Sequence, residues 1–471
     1  MEKILQTIKK FIPRRLFLAL QPAYHFLLSA LAAMFYRWPS EKIIVIGITG
    51  TTGKTTSAYL IAKMLEAGGY RAGFTSTAIF NNGKREWLND KKMTMVGRFF
   101  TQKLIREMVR NKCEYAIVET TSEGIKQFRH RFINYDILIF TGLYPEHIES
   151  HGSFENYKEA KGRLFAHLKK CKTKYIDEKK LVHAFVSGLR KTDLTRVKKT
   201  IIANLDDEHA GYFTDFWAED KFGYTHSASS GQASLNISNI KVIEYGNIEA
   251  QNIGTSFTVL KTKINLQILG AYNAVNAMTA VAVGLSQHIG IEKIKSGLES
   301  VNGVAGRFER IDEGQPFTVI VDYAFEPNAV TKLYETLKLI PHGKIIHVLG
   351  STGGGRDTAR RPKLGKIAGE NAGIVIITNE DPYDDDPQLI IDQVALGTEK
   401  AGKKLNENYF KILSREEAID KALSLAVEGD IILVTGKGSE QAIMSANGEK
   451  IPWDDRAVIR GKLGKFPISN S

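Results

Sequence analysis

The chain reads as an α/β protein. A P-loop-type central domain carries a mostly parallel, doubly wound sheet, and a Rossmann-like α/β domain follows it. Three observations predict this. Short β-branched runs alternate with helical stretches from residue 42 onward, the pattern of parallel sheets covered by helices. The alternation stops at residues 301–306 and restarts, so two such units are present. A Gly/Thr loop joins the first run to the first helix, where α/β folds bind anions. With 471 residues, 43% of them hydrophobic, the chain exceeds one ordinary core. We therefore expect a helical segment over residues 1–40, a central domain over 41–300 and a C-terminal domain over 301–471.

Residues 16–36 are largely apolar, span the length a bilayer requires, and follow Lys3, Lys9, Lys10, Arg14 and Arg15. No secretory cleavage site is evident. Gln21, His25 and Ser29 recur every fourth residue and share one helix face, and Pro22 is expected to break the early part. An amphipathic helix, lying on a membrane or docked on the protein, fits this better than a spanning one. Any membrane contact is expected to be peripheral, through residues 11–38, at the inner face of the membrane. Cys113 and Cys171 lack metal-ligand spacing and read as reduced thiols of a cytoplasmic protein.

The first run, residues 42–48, leads into Gly47-Ile48-Thr49-Gly50-Thr51-Thr52-Gly53-Lys54-Thr55-Thr56 and a helix over residues 55–67. Glycines let the backbone wrap phosphates, helix-terminal N–H groups bind the anion, and Lys54 adds a point charge. Thr55 is placed to hold Mg²⁺. Gly50, Thr51, Thr52, Gly53, Lys54, Thr55 and Thr56 are thus the candidate nucleotide ligands. Strict P-loop spacing would put glycine at position 48; here it recurs at 47, 50 and 53.

Further strands are expected at 115–118 and 137–140, each ending in polar residues, Glu119-Thr120-Thr121-Ser122 and Thr141-Gly142. Residues 201–269 read as short strands and turns, an antiparallel addition to the first domain. A helix over 273–288 follows, then strands at 317–321, 344–349, 373–378 and 430–434. The formal net charge of +12 suits nucleotides and phosphorylated sugars. No basic–aromatic stripe is present, so nucleic acid is not an expected partner.

The phosphate loop resembles that of the Mur ligases, the peptidoglycan-precursor synthetases, whose architecture folylpolyglutamate synthetases share. Other segments resemble, in the same order, the branch that makes UDP-N-acetylmuramoyl-tripeptide. They are Glu119-Thr120-Thr121-Ser122, Glu146-His147, His151-Gly152-Ser153, Ala160-Lys161, Gly306-Arg307-Phe308-Glu309-Arg310, Asp322-Tyr323-Ala324 and Gly436-Lys437-Gly438-Ser439-Glu440.

The resemblance implies an ATP-dependent amide-bond ligase. It activates a carboxylate as an acyl phosphate and joins it to an amine, with ATP and Mg²⁺ as cofactors and a UDP-N-acetylmuramoyl dipeptide as acceptor. Lys54, Glu119, His147 and Lys161 become the catalytic group. A carboxylate, an imidazole and a hydroxyl suit Mg²⁺ when phosphate oxygens complete its sphere, so Thr55, Glu119 and His147 are candidate metal ligands. Lys161, on a helix, joins them as a carbamate by family analogy; an ordinary surface lysine is the alternative. Asn273 and Asn276 become adenine-side contacts, or Asn273 caps its helix. Arg307 and Asp322 would reach the nucleotide on domain closure. Thr121, Ser122, Arg129, Asp381, Gly436 and Glu440 are the candidate substrate contacts.

The match departs at several places. Residues 1–40 stand where that branch carries a uridine-binding domain. Met93-Thr94-Met95 replaces Thr-Thr-Pro, Phe325 and Ser439 replace histidines, and Glu380-Asp381-Pro382-Tyr383 replaces Asp-Asn-Pro-Arg. The family's arginine binds the distal carboxylate of meso-diaminopimelate, a task suited to a planar guanidinium. With tyrosine there, and Asp384, Asp385 and Asp386 following, an L-lysine-like amine is expected; the aspartates also read as a plain loop and helix start. Two other functions fit the sequence: a Mur-like ligase on a non-uridine or lipid-linked acceptor, and a membrane-associated nucleotide-binding ATPase that does not ligate.

Overall fold

The computed structural model describes residues 14–146, 151–177, 180–182, 194–227, 239–355 and 358–464. Helix α1 (Arg14–Phe35) runs unbroken through Pro22, against expectation. A single proline removes one helical hydrogen bond, and the turns on either side keep theirs. Ser29 Oγ donates to Phe128 O at 3.0 Å, and Arg98 Nε donates to Ser29 Oγ at 3.0 Å. Arg98 Nη2 lies 2.7 Å from His25 Nδ1. The polar stripe is therefore the docked face. Leu20, Tyr24, Leu27, Leu31, Met34 and Phe35 form the opposite stripe and remain exposed. Among the described residues no helix is long and apolar enough to cross a membrane.

The central sheet has eleven strands. They are β1 (Ile44–Thr49), β2 (Ala72–Thr75), β3 (Ile79–Asn81), β4 (Glu86–Leu88), β5 (Tyr115–Glu119), β6 (Ile137–Phe140), β7 (Thr200–Asn204), β8 (Asp220–His226), β9 (Lys241–Gln251), β10 (Gly254–Val259) and β11 (Thr262–Leu266). Their spatial order is β11-β10-β9-β8-β7-β6-β1-β5-β2-β3-β4. From β2 to β9 the pairings are parallel; β3–β4 and β9–β11 are antiparallel edges.

Residues 201–269 thus do not form one antiparallel addition. Strand β7 buries Ile201, Ile202 and Ala203 in succession, as parallel interior strands do. Only β9 and β11 alternate buried and exposed residues. On one face the sheet packs against α2 (Lys54–Ala67), α6 (Tyr272–Ser286) and α7 (Ile291–Glu299). On the other it packs against α3 (Arg98–Arg110), α4 (Ser122–Lys126) and α5 (Phe154–Leu168).

A second, six-stranded sheet holds β12 (Glu309–Ile311), β13 (Thr318–Asp322), β14 (Ile345–Leu349), β15 (Ile374–Thr378), β16 (Tyr409–Ile412) and β17 (Ile431–Thr435). It is parallel except for the β12 edge. Two apolar clusters cover its faces. Cys113 and Cys171 are free thiols.

Candidate active site at the phosphate loop and the cleft

The ends of β1, β5 and β6 converge on the loop between β1 and α2. Neighbouring chains press on this loop. A Cβ at Gly50 would lie 2.0 Å from Thr141 Oγ1, and one at Gly53 would lie 2.3 Å from Asn276 Oδ1. Gly53 also has φ +80°, a conformation glycine adopts without steric cost. Thr141 Oγ1 donates to Thr52 O at 2.8 Å, and Thr51 N to Gly142 O at 2.8 Å. These contacts hold the loop in place. Lys54 Nζ lies over it, donating to Gly50 O at 3.1 Å and Thr51 O at 2.7 Å.

Glu119, at the end of β5, is held in place. Its Oε2 accepts from Thr55 Oγ1 at 2.9 Å and Thr77 N at 2.8 Å, and its Oε1 from Thr77 Oγ1 at 3.0 Å. Thr55 and Glu119 thus bring hydroxyl and carboxylate oxygens together at the start of α2. Hard oxygen donors beside a phosphate loop fit Mg²⁺. His147 lies outside the described residues. Among those described, no cluster of three His, Cys, Asp or Glu side chains forms a metal site.

Lys161 sits on α5, 2% exposed, which excludes the surface-lysine alternative. Its Nζ donates to Gly50 O at 2.8 Å and lies 4.6 Å from the Tyr157 ring centroid. Burial, then the neighbouring Lys54 charge, hold this amine well below the usual lysine range. Burial pushes the nearby Glu146 carboxyl up to about 7, with Glu326 adding and Lys54, Arg360 and Lys161 opposing. Tyr144 OH donates to Glu326 Oε1 at 2.8 Å and ties the two halves together.

Ala271, not Asn273, occupies the N-cap of α6. Asn273 Nδ2 instead donates to Leu269 O at 2.6 Å, and Asn273 Oδ1 accepts from Asn276 Nδ2 at 2.9 Å. This pair places Asn276 against Gly53. Arg307 crosses from the second half: Nη2 donates to Thr55 Oγ1 at 3.3 Å, and its guanidinium stacks 4.4 Å from the Tyr323 ring centroid. Asp322 is used otherwise. Its carboxylate accepts Phe308 N and Ala324 N, both at 2.6 Å, and so fixes the turn that carries Arg307.

The substrate-side residues form two further groups. Thr121 caps α4, accepting Gly124 N at 3.1 Å, and Ser122 Oγ lies 3.1 Å from His151 Nε2. Arg129 donates to Gln127 Oε1 at 2.7 Å and to Met95 O. Across the cleft, Lys437 Nζ donates to Asp381 Oδ1 at 2.8 Å, Glu440 Oε2 at 2.9 Å and Ala442 O at 2.6 Å. Gly436 adjoins the buried Glu380, whose Oε2 lies 2.2 Å from where a Cβ would stand.

The other loop carboxylates are engaged. Asp384 accepts Asn447 N at 2.7 Å, Asp385 pairs with Arg361 at 3.3 Å, and Asp386 caps the helix Pro387–Lys400 through Gln388 N at 2.9 Å. They serve as loop and helix start, and of the three only Asp385 pairs with a cation among the described residues.

Thr77, Lys92, Tyr144 and Glu326 were not legible as site residues. Each lies in an ordinary polar loop without a motif. Lys437 had a signal, a lysine between two glycines.

Two families match the chain: "Mur ligase middle domain" over residues 48–197 and "Mur ligase, glutamate ligase domain" over residues 306–438. The UDP-N-acetylmuramyl-tripeptide synthetase of Roseiflexus sp. (strain RS-1) is 33% identical over 450 residues, covering 93% of this chain and 82% of that protein. The UDP-N-acetylmuramoyl-L-alanyl-D-glutamate–2,6-diaminopimelate ligase 1 of Clostridium acetobutylicum is 30% identical over 439 residues, covering 92% and 80%. Folylpolyglutamate synthase of Mycobacterium tuberculosis, solved with ADP and AMPPCP, shares the fold at 14% identity. Its TM-score is 0.61, with 94% of this chain and 96% of that one covered. With its phosphate loop, its two α/β sheets and these relatives, the chain belongs to the Mur ligase family of ATP-dependent, ADP-forming amide ligases.

Proposed function

We propose that the protein joins an amino acid to a UDP-N-acetylmuramoyl dipeptide in peptidoglycan-precursor assembly in the cytoplasm. The observation that carries this is the meeting of Lys54, Thr55, Glu119, Lys161 and Arg307 at one loop, with a polar cluster on the facing half. Residues 41–300 serve as the nucleotide half and residues 301–471 as the amine half.

The acceptor carboxylate attacks the γ-phosphoryl group of ATP and ADP leaves; the amine then displaces phosphate from the acyl phosphate. Lys54 and the helix N-terminus of α2 bind the developing phosphate charge. Arg307 adds a second cation from the other half. Thr55 and Glu119, with His147 and Lys161, would hold Mg²⁺, which neutralises phosphate charge when bound. Asn273 and Asn276 take the adenine side. Thr121, Ser122 and Arg129 face the acceptor, and Asp381, Gly436 and Glu440 the amine. Closure of the halves excludes water from the acyl phosphate. The test is ADP release with UDP-N-acetylmuramoyl-L-alanyl-D-glutamate, with and without amino acids. Turnover indifferent to any amine would show an ATPase instead.

The amine we propose is L-lysine or another diamino acid without a distal carboxylate. Tyr383 stands where a carboxylate-binding arginine would. Beside Gly436, Glu380 Oε2 is buried without a hydrogen-bond partner among the described residues, and burial, then Asp381, push its carboxyl up to about 7. A side-chain ammonium would satisfy that oxygen. In competition, we expect L-lysine to be favoured over meso-diaminopimelate by about tenfold or more in kcat/KM. Preference for meso-diaminopimelate would show that another cation, such as Arg360, binds its carboxylate.

The exposed stripe of α1 supports a peripheral contact with an anionic bilayer, since the basic residues Lys3, Lys9, Lys10, Arg14 and Arg15 flank it. Leu27→Glu with Leu31→Glu should abolish flotation with phosphatidylglycerol vesicles and leave ADP release unchanged. Equal flotation of variant and wild type would refute the contact.

A further inference from the structure

Lys92 leaves the central half on the loop after β4 and ends inside the other half. Its Nζ donates to Asp381 Oδ2 at 2.7 Å and pairs with Glu440 Oε2. The side chain is 5% exposed. The same two carboxylates bind Lys437. Two lysines with buried side chains, the buried Asp381 and the part-buried Glu440 thus make a neutral cluster, and one member comes from the opposite half. Without Lys92, closure would bury an uncompensated negative charge, which a low-dielectric site strongly disfavours.

The loop that presents Lys92 is built for this. Lys92 has φ +54°, a left-handed conformation that side chains other than glycine adopt only when their surroundings impose it. Asn89 Nδ2 donates to Ser76 O at 2.9 Å and Met93 O at 3.0 Å, and Arg129 donates to Met95 O. Thr94 Oγ1 lies 2.8 Å from Thr77 Oγ1 and donates to it, and Thr77 in turn donates to Glu119 through its N–H and hydroxyl. A short hydrogen-bonded path therefore runs from the Glu119 carboxylate to the residue two places after Lys92. A chance surface ion pair would show neither the burial nor the anchoring.

We infer that Lys92 is an interdomain latch, a positioning residue that locks the amine half over the phosphate loop and completes the charge balance beside the amine subsite. This rests on the ligase reading, in which the acyl phosphate must stay dry until the amine attacks. The latch ties that shielding to the loop that also carries the Glu119 contacts.

The test compares wild type, Lys92→Met and Lys92→Arg. Methionine keeps the apolar stem and removes the charge. With a non-hydrolysable ATP analogue, small-angle scattering should give a larger radius of gyration for Lys92→Met than for wild type. With UDP-N-acetylmuramoyl-L-alanyl-D-glutamate and L-lysine, the KM for L-lysine should rise about tenfold or more, while the KM for ATP stays within about twofold. The ratio of ADP released to amide formed should rise above unity, because an opened cleft admits water. Lys92→Arg should restore coupling in large part. A lower melting temperature with unchanged stoichiometry and unchanged amine KM would overturn the latch. If wild type shows no amine-dependent ADP release with this pair, the substrate reading fails by itself. The scattering comparison then decides the latch, and equal radii overturn it.

Discussion

Replacing Lys54 by alanine should lower ADP release at least about a thousandfold, roughly 4 kcal/mol of transition-state stabilisation. The fold should survive, with a melting temperature within about 2 °C of wild type. The side chain sits on the first residue of α2 and donates to Gly50 O and Thr51 O, in a loop that Thr141 Oγ1 and Gly142 O hold independently of Lys54. Alanine is the best helix former at that place. Burial lowers the proton affinity of Lys54, Glu119 and Glu146 raise it, and Arg307 lowers it again. A coupled ADP assay and a thermal melt check both parts. Activity within tenfold of wild type would remove Lys54 from the phosphoryl-transfer step.

Lys161→Ala should lose about a hundredfold to a thousandfold in kcat and regain part of it with added formate or acetate. The amine is buried beside Lys54, so its neutral form is favoured, and only a neutral amine adds CO₂. The N–C bond forms, a proton leaves to solvent, and a neutral amine becomes an anion. An uncharged neighbour of Lys54 then becomes an opposite charge. The sign of the pH effect follows: acid protonates the amine and drives the carbamate off, so activity of wild type in limiting bicarbonate should fall as pH falls. Mild native mass measurement should show one added CO₂ on wild type and none on the variant. An unmodified wild-type mass together with no carboxylate rescue would leave Lys161 as a hydrogen-bond donor to Gly50 O only.

The parts of this protein legible in its sequence are those set by neighbours along the chain. The phosphate loop showed itself because glycine spacing, a preceding β-branched run and a following helix are local. The same holds for β1, β5 and β6, whose polar ends marked Glu119 and Thr141, and for α5, which carried Lys161 at a helical position. The polar stripe Gln21, His25 and Ser29 was visible as a face of α1. That it docks on Arg98, leaving an apolar stripe exposed, depended on what packs there. Periodicity reports that a face differs from its opposite; it does not name the partner. Strand direction at β7 and β8 was likewise decided by burial on both faces of the sheet. Three acidic residues after Pro382 read either as a cation site or as a loop and helix start, and their bonds to Asn447 N, Gln388 N and Arg361 could be seen only in the tertiary structure. Lys92 meets Asp381 across 289 residues, and nothing near either position signals the pairing. Such contacts follow from how two separately folded sheets meet, and that is fixed by complementary surfaces and buried charge, which no stretch of chain carries alone.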